Sequence, residues 1–317
     1  MREFELVRRI SSVNRRLPAD VLIPPGDDMA ALALPNPPEV LAAADAAIEG
    51  RHTPFGCDPL LIGRKAVLRN LSDVAAMGGA RPIGTLACVT LPRETDSERA
   101  WRLLEGIRET AERWGAPLIG GDTATYPAET RHAPIIASVT ILALRRTPSS
   151  RLVTRADARI GDAVYVTGTI GGAWDARTGL GRHLEFEPRL AAAAALEEAL
   201  GNRLGAMIDV SDGLGRDLAH IARASQVEIA IELDRIPVGP GIDARAAIAQ
   251  GEDYELAFTA RGDVPASAAG VPITRIGIVT AGVGRVLAHQ RSASGAESFD
   301  ASELGFEHGG GSGGVTG

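Results

Sequence analysis

Apolar positions along the chain follow two periods. Short runs rich in Val, Ile, Leu and Ala recur between longer stretches with helical spacing, the pattern of a mixed α and β protein. Strands are predicted at Val40–Ala44, Ile83–Leu91, Pro134–Leu144, Ala163–Gly168, Val227–Leu233 and Ile273–Val279. From Leu60 to Met77 the spacing predicts a helix with Leu60, Val67, Leu71 and Val74 on one face, carrying Asn70 and Asp73 to its C-terminal end. A second helix runs from Ser97 to Trp114, with Trp101, Leu104, Ile107, Ala111 and Trp114 at helical spacing. Thr95 and Glu98 read as its capping box and Gly115 as its stop. Pro188–Leu200 is alanine-rich and helix-prone. A further helix should begin at Ser211 or Asp212 and turn Leu214, Leu218 and Ile221 inward.

The segment Arg145–Arg151, around Thr147-Pro148-Ser149-Ser150, reads as a connection between domains. The expected division is residues 1–147 and 148–305, followed by a glycine-rich tail, 306–317, expected to be disordered. A chain of 317 residues has room for both domains at ~100–200 residues each. With 45% apolar and 23% charged residues it reads as an ordinary soluble globular protein. The net charge of −7 and the scattered basic residues argue against nucleic-acid binding. The start is charged and has no apolar signal core, and the apolar run near Ala133–Leu144 falls short of the ~20 residues that span a bilayer. A cytoplasmic protein without membrane association is expected. Cys57 and Cys88 offer neither a disulfide framework nor a zinc spacing, and both read as buried small hydrophobes.

Candidate chemistry lies in aspartates set among small residues and glycines. They are Gly26-Asp27-Asp28, Ala44-Asp45, Asn70-Leu71-Ser72-Asp73, Gly120-Gly121-Asp122-Thr123 and Ile208-Asp209-Val210-Ser211-Asp212-Gly213. Carboxylates brought together must be neutralised, and magnesium commonly bridges carboxylates to substrate phosphates. Asp45 should sit at a strand end, and the glycines before Asp122 would let backbone N–H groups approach a phosphate. Ser211 and Asp212 fall at a predicted helix N-terminus, where free N–H groups favour anions. Each motif alone is equally ordinary turn or capping chemistry. No Gly-x-x-x-x-Gly-Lys-Ser/Thr loop and no protein-kinase signature occurs, and Lys65 is the only lysine. A phosphate-handling enzyme of this kind must then replace the lysine of that loop with metal ions and arginines, Arg155 being a candidate as well as an ordinary surface residue. In Gly251-Glu252-Asp253-Tyr254-Glu255-Leu256 a glutamate suits a cationic substrate or simply a charged turn. His52 suits a ligand contact or a loop histidine.

The ordered series, closing at Gly305-Phe306, resembles the thiamine-monophosphate kinase family of the AIR-synthase-like (PurM-like) superfamily. Asn70-Leu71-Ser72-Asp73-Val74-Ala75-Ala76-Met77-Gly78 and the Gly251–Leu256 segment are its most specific parts. The resemblance implies an α/β (α+β) fold of two PurM-like domains, an N-terminal mixed sheet with helices and a C-terminal α/β domain, paired as a homodimer. It implies γ-phosphoryl transfer from ATP, as co-substrate, to thiamine monophosphate. Several Mg2+ ions would be held by Asp28, Asp45, Asp73, Asp122, Asp209 and Asp212, with Asp27 assisting. Gly121, Asp122, Arg155 and Ser211 would touch ATP; His52, Glu252 and Phe306 would meet thiamine phosphate. No residue is assigned as a general base. The chain departs from the family pattern at Ala43 and Ala44, where a hydroxyl residue is usual, at Thr53 and Gln250, and in lacking an arginine at Ala124-Thr125-Tyr126. The alternative is a non-catalytic or altered-substrate ATP- or phosphate-binding relative of the same superfamily.

Overall fold

Backbone pairing organises the chain into two separate sheets. The computed structural model describes residues 21–23, 31–32, 40–130, 132–292 and 295–306. These form two units. One comprises the chain up to Ala75, Gly79–Leu152 and Trp174–Leu190; the other comprises Ala76–Gly78, Val153–Ala173 and the chain from Ala191 onward.

A short ladder pairs β1 (Val21–Ile23) with β2 (Ala31–Leu32). The main sheet of the first unit then orders β3 (Val40–Ile48), β6 (Ile136–Leu144), β4 (Arg81–Leu91) and β5 (Leu118–Thr125) side by side. The β4–β5 pair is parallel and the others antiparallel. Alanine is a weak strand former, yet Val40–Ile48 pairs with β6 along its whole length, so tertiary pairing overrides local preference. The predicted strand therefore runs on through Asp45, which lies inside β3 rather than at its end.

Two helices, α1 (Pro59–Ala76) and α2 (Ser97–Arg113), share the core of this unit. Ile62, Val67 and Leu71 of α1 and Leu103, Ile107 and Ala111 of α2 are buried with Ala137, Val139 and Ile141 of β6. The helices touch through backbone: a Cβ on Gly63 would lie 2.2 Å from the Leu103 carbonyl oxygen, and one on Gly106 2.1 Å from that of Leu60. At the start of α2 the cap is Asp96, which accepts the Arg99 N–H at 2.7 Å, and not the Thr95–Glu98 box. Gly115, with φ +70°, follows the end of α2 as expected.

The second unit carries a larger sheet in the order β14 (Gly295–Asp300), β13 (Arg285–Ser292), β9 (Glu228–Glu232), β12 (Val271–Thr280), β7 (Ala163–Thr167), β10 (Leu256–Ala260) and β8 (Leu204–Asp209). The short strand β11 (Ser267–Ala268) pairs with β12. Only β9 and β13 run parallel. After α3 (Leu190–Leu200), the helix α4 (Leu214–Ser225) buries Leu214, Leu218 and Ile221 among sheet residues such as Ile229, Ile276 and Val286. A single turn, α5 (Ala244–Ala247), completes the helices described. Cys57 is buried as expected, whereas Cys88 is exposed because its row of the sheet faces away from α1 and α2. Among the described residues no helix is long and apolar enough to cross a membrane.

Candidate functional site

In the second unit the expected residues are drawn together by backbone hydrogen bonds around one turn. Strand β8 ends at Asp209, and Val210–Gly213 carries the chain into α4. Two segments converge there. Glu252 donates its N–H to the Ser211 carbonyl at 2.8 Å, Tyr254 to Val210 at 2.8 Å, and Phe306 to Asp212 at 2.8 Å. A Cβ on Gly251 would lie 2.5 Å from the Ser211 carbonyl oxygen and one on Gly305 2.7 Å from that of Asp212. Glycine at both positions lets these strands close on the turn. Asp209, Ser211, Asp212, Glu252 and Phe306 are thus gathered at one place, with Phe306 45% exposed.

Asp217 locks the turn. Its Oδ2 accepts the N–H groups of Ser211, Asp212 and Gly213 at 3.0, 3.1 and 3.1 Å, from a side chain 2% exposed. Burial, with the neighbouring Asp209 and Asp212 charges, pushes the Asp217 carboxyl well above its ordinary range; the Asp212 and Gly213 N–H bonds act in the opposite direction. The first turn of α4 is also spoken for: Gly215 donates to Ile248 and Arg216 to Leu304. The predicted helix start therefore shifts to Leu214, and these N–H groups serve protein oxygens rather than forming an open anion site.

Arg155 lies beside the same helix. Its carbonyl accepts Ser225 Oγ, and Thr154 next to it accepts the Met207 N–H with its own carbonyl, so Val153–Arg155 runs along β8. His220 is held below its ordinary pKa by burial, then by the Arg155 and Arg223 charges, with Asp212 opposing them.

The Gly251–Leu256 segment separates into anchors and a presented group. Asp253 accepts the Gly171 N–H on both carboxylate oxygens, at 2.9 and 2.8 Å, and Glu255 accepts Thr167 Oγ1 at 2.7 Å; both acids are buried. Glu252 and Tyr254 are held at φ +71° and +53°, costly for residues with a Cβ, and Tyr254 Oη donates to Glu252 Oε2 at 3.2 Å. Gln250, one of the departures from the family pattern, accepts the Gly172 N–H.

In the first unit the expected residues are more dispersed. Asp45 forms an ion pair with Arg69 at 2.7 Å, on the sheet face that α1 covers. It shares a row of the sheet with Val139, Ala87 and Gly121, whereas Asp122 shares the next row with Ser138 and Cys88 and is exposed. Gly121 and Asp122 lie in β5 rather than in a phosphate loop, and a Cβ on Gly121 would lie 1.9 Å from the Ala87 carbonyl oxygen, so that glycine serves close strand approach. Asp73 lies in the last turn of α1, half-buried. One turn before it, the buried Asn70 has an Oδ1 with no hydrogen-bond partner among the described residues. His52 Nδ1 accepts the Ile48 N–H at 3.0 Å, which leaves the proton of a neutral ring on Nε2. Asp27 and Asp28 lie outside the described residues, as does the tail beyond Phe306.

Comparison with known proteins decides the family. The profile of the AIR synthase related protein, N-terminal domain, matches residues 26–144. Thiamine-monophosphate kinase of Escherichia coli (strain K12) is 35% identical over 313 residues, covering 89% of this chain and 91% of that one. The enzyme of the same name from Rhodopirellula baltica is 38% identical over 240 residues, 70% of each chain. The chain belongs to the thiamine-monophosphate kinase family. It is therefore a kinase, and its fold is the family's PurM-like α/β fold. The crystal structure of thiamine-monophosphate kinase from Stenotrophomonas maltophilia K279a superposes with TM-score 0.70 at 30% identity, covering 88% of this chain and 93% of that one. A solved structure of AaThiL complexed with AMPPCP and TMP superposes with TM-score 0.67 at 27% identity, covering 91% and 95%. Asp217, Tyr254, Asp253 and Glu255 escaped sequence reasoning as site-building groups. The one signal for Asp217 was an acid in the first turn of an otherwise amphipathic helix.

Proposed function

We propose that this protein transfers the γ-phosphoryl group of ATP onto the phosphate of thiamine monophosphate, giving thiamine diphosphate and ADP. The observation that carries this reading is the locked Asp209–Gly213 turn with Glu252 and Phe306 bonded to it, in a chain of this family.

Among the described residues no three His, Cys, Asp or Glu side chains form a ready-made metal cage. The donor chemistry nevertheless fits magnesium that arrives with nucleotide. The candidates are all oxygen donors, Asp209 and Asp212 crowd Asp217 with negative charge, and Asn70 Oδ1 is an orphaned oxygen acceptor one turn before Asp73. Magnesium needs only one or two carboxylates when phosphates and water complete its shell. We assign Asp73, Asp122, Asp209 and Asp212 to such ions, with Asp28 by position. Asp45 joins the set with its charge already answered by Arg69. Bound there, magnesium would offset the negative charge of the phosphates.

The protein's own part is binding and alignment. Arg155 and Ser211 donate to ATP phosphates, and the β5 backbone at Gly121 borders the nucleotide. His52 offers its Nε2–H to the acceptor phosphate, Glu252 faces the positive charge of the thiazolium, and Phe306 supplies a ring surface. An acceptor oxygen attacks the γ-phosphorus as the bond to the β-phosphate oxygen breaks. The attacking phosphate has a second pKa near ~6, so no general base is required. Supporting a homodimer, Ala42 and Ala44 are exposed on the sheet face opposite the helices, where Leu142 and Thr140 are their neighbours in β6. Two free cysteines accord with a reducing, cytoplasmic setting.

Asp209→Asn and Asp212→Asn are each expected to lower kcat by ~100-fold and to raise the magnesium concentration needed for half-maximal rate. Asp45→Asn is expected to lower stability as well, by removing the ion pair with Arg69. Unchanged turnover and magnesium dependence in both Asp209→Asn and Asp212→Asn would remove the site assignment.

A further inference from the structure

Lys65, the only lysine of the chain, is fully buried in α1. Its Nζ donates to the His52 carbonyl at 2.7 Å and meets His183 Nδ1 at 2.5 Å. His183, itself 4% exposed, places Nε2 3.0 Å from the Gly179 carbonyl. An ammonium has donors only, and a carbonyl accepts only. The ring between them therefore accepts at Nδ1 and donates from Nε2, which defines its neutral tautomer.

Both ends of this chain of bonds reach one loop. Gly179, at φ +67°, lies against Pro54, where an added Cβ would come 2.8 Å from the proline Cγ. Arg64, next to Lys65, pairs with Glu185, and Leu184 enters the core of the first unit. Trp174–Leu190 is accordingly fastened to the His52 loop although its neighbours in sequence belong to the other unit. The base of that loop is braced separately: Glu49 accepts the Gly56 N–H at 2.9 Å and the Ile135 N–H at 3.0 Å. A lysine is almost never fully buried, since desolvating the ammonium is costly and an apolar side chain would fill the space. Here that cation is aimed at the backbone of a residue expected to meet the acceptor phosphate.

We infer that Lys65 and His183 are a positioning pair for acceptor recognition, holding the His52 loop between α1 and the Trp174–Leu190 segment so that the His52 ring is presented in one orientation. The inference rests on the reading of His52 as an acceptor contact. Neither residue touches the reacting atoms; they act through the His52 backbone and through Pro54.

The test pairs steady-state kinetics with hydrogen exchange and ring 15N NMR on the full chain. His183→Leu is expected to raise KM for thiamine monophosphate about tenfold, the size of one lost hydrogen bond to a charged group, and to leave KM for ATP unchanged. Amides of residues 50–56 should exchange faster in that variant. His183→Asn, which keeps one acceptor and one donor, should recover most of the affinity. In the wild type the His183 ring should show the Nε2–H tautomer, a readout that needs no variant to fold. Equal rises in both KM values, unaltered exchange at residues 50–56, or an Nδ1–H or doubly protonated ring would each overturn the inference. If the wild type makes no thiamine diphosphate, the kinase reading fails on its own, and the exchange and tautomer results still decide whether the pair fixes the loop.

Discussion

At the scale of single residues the site is built by groups that hold other groups. Asp217 spends one carboxylate oxygen on three N–H donors of the Ser211–Gly213 turn, and Asp253 and Glu255 anchor the segment from which Glu252 projects. Tyr254 is the clearest case for test, because its hydroxyl reaches Glu252 while its ring is buried. Tyr254→Phe keeps the ring and removes that bond, so KM for thiamine monophosphate should rise by about 2–10-fold with little change in thermal midpoint. An unchanged KM would show that Glu252 needs no such guide. The sequence displayed the acidic motifs but not their division of labour. Gly251–Leu256 reads as three acids around an aromatic, and only their burial and hydrogen bonds in the fold reveal that two of them face inward. Asp45 shows the converse: its motif suggested a ligand, and Arg69, many residues along the chain, already answers its charge.

At the scale of elements, both long helices were legible almost to the residue, α2 by the one stripe it buries, whereas α1 is enclosed on nearly every side. Strands were harder. Leu118–Thr125 contains glycines and an aspartate and reads as a loop, yet parallel pairing with β4 makes it a strand and alters the meaning of Gly121. The α1–α2 crossing depends on Gly106. Gly106→Ala should cost about 1–3 kcal/mol, because its Cβ meets backbone that cannot step aside, and a denaturation midpoint equal to the wild type would refute the close contact. Asp58 caps α1 by accepting the Leu60 N–H at 3.1 Å and is bound by Arg102, whose hydrogen bond, against the effect of partial burial, holds the carboxyl below its ordinary pKa of 3.8. The folded state therefore binds fewer protons than the unfolded one just below that value. The contribution of Asp58 is complete above it and fades as pH falls through the lower, folded pKa. Asp58→Ala should lose about 1 kcal/mol at neutral pH, with the difference from wild type narrowing in acid; a gap that widens instead would contradict the sign.

At the scale of the whole molecule, the sequence conveyed the fold class through alternating periods and the family through ordered motifs. It did not convey the interleaving of the two units, because Ala76–Gly78 and Trp174–Leu190 are assigned by spatial neighbours rather than by any change in composition. The exposed alanines of β3 make the homodimer testable. Ala44→Arg should convert a dimer to a monomer in sedimentation velocity, and a monomeric wild type would exclude the pairing. The central claim is the reaction itself. Purified protein with magnesium and ATP should release ADP at a rate that depends on thiamine monophosphate, with thiamine diphosphate appearing in equal amount. ATP binding without that product, at any thiamine monophosphate concentration, would contradict the account and favour a relative that binds phosphates without this chemistry.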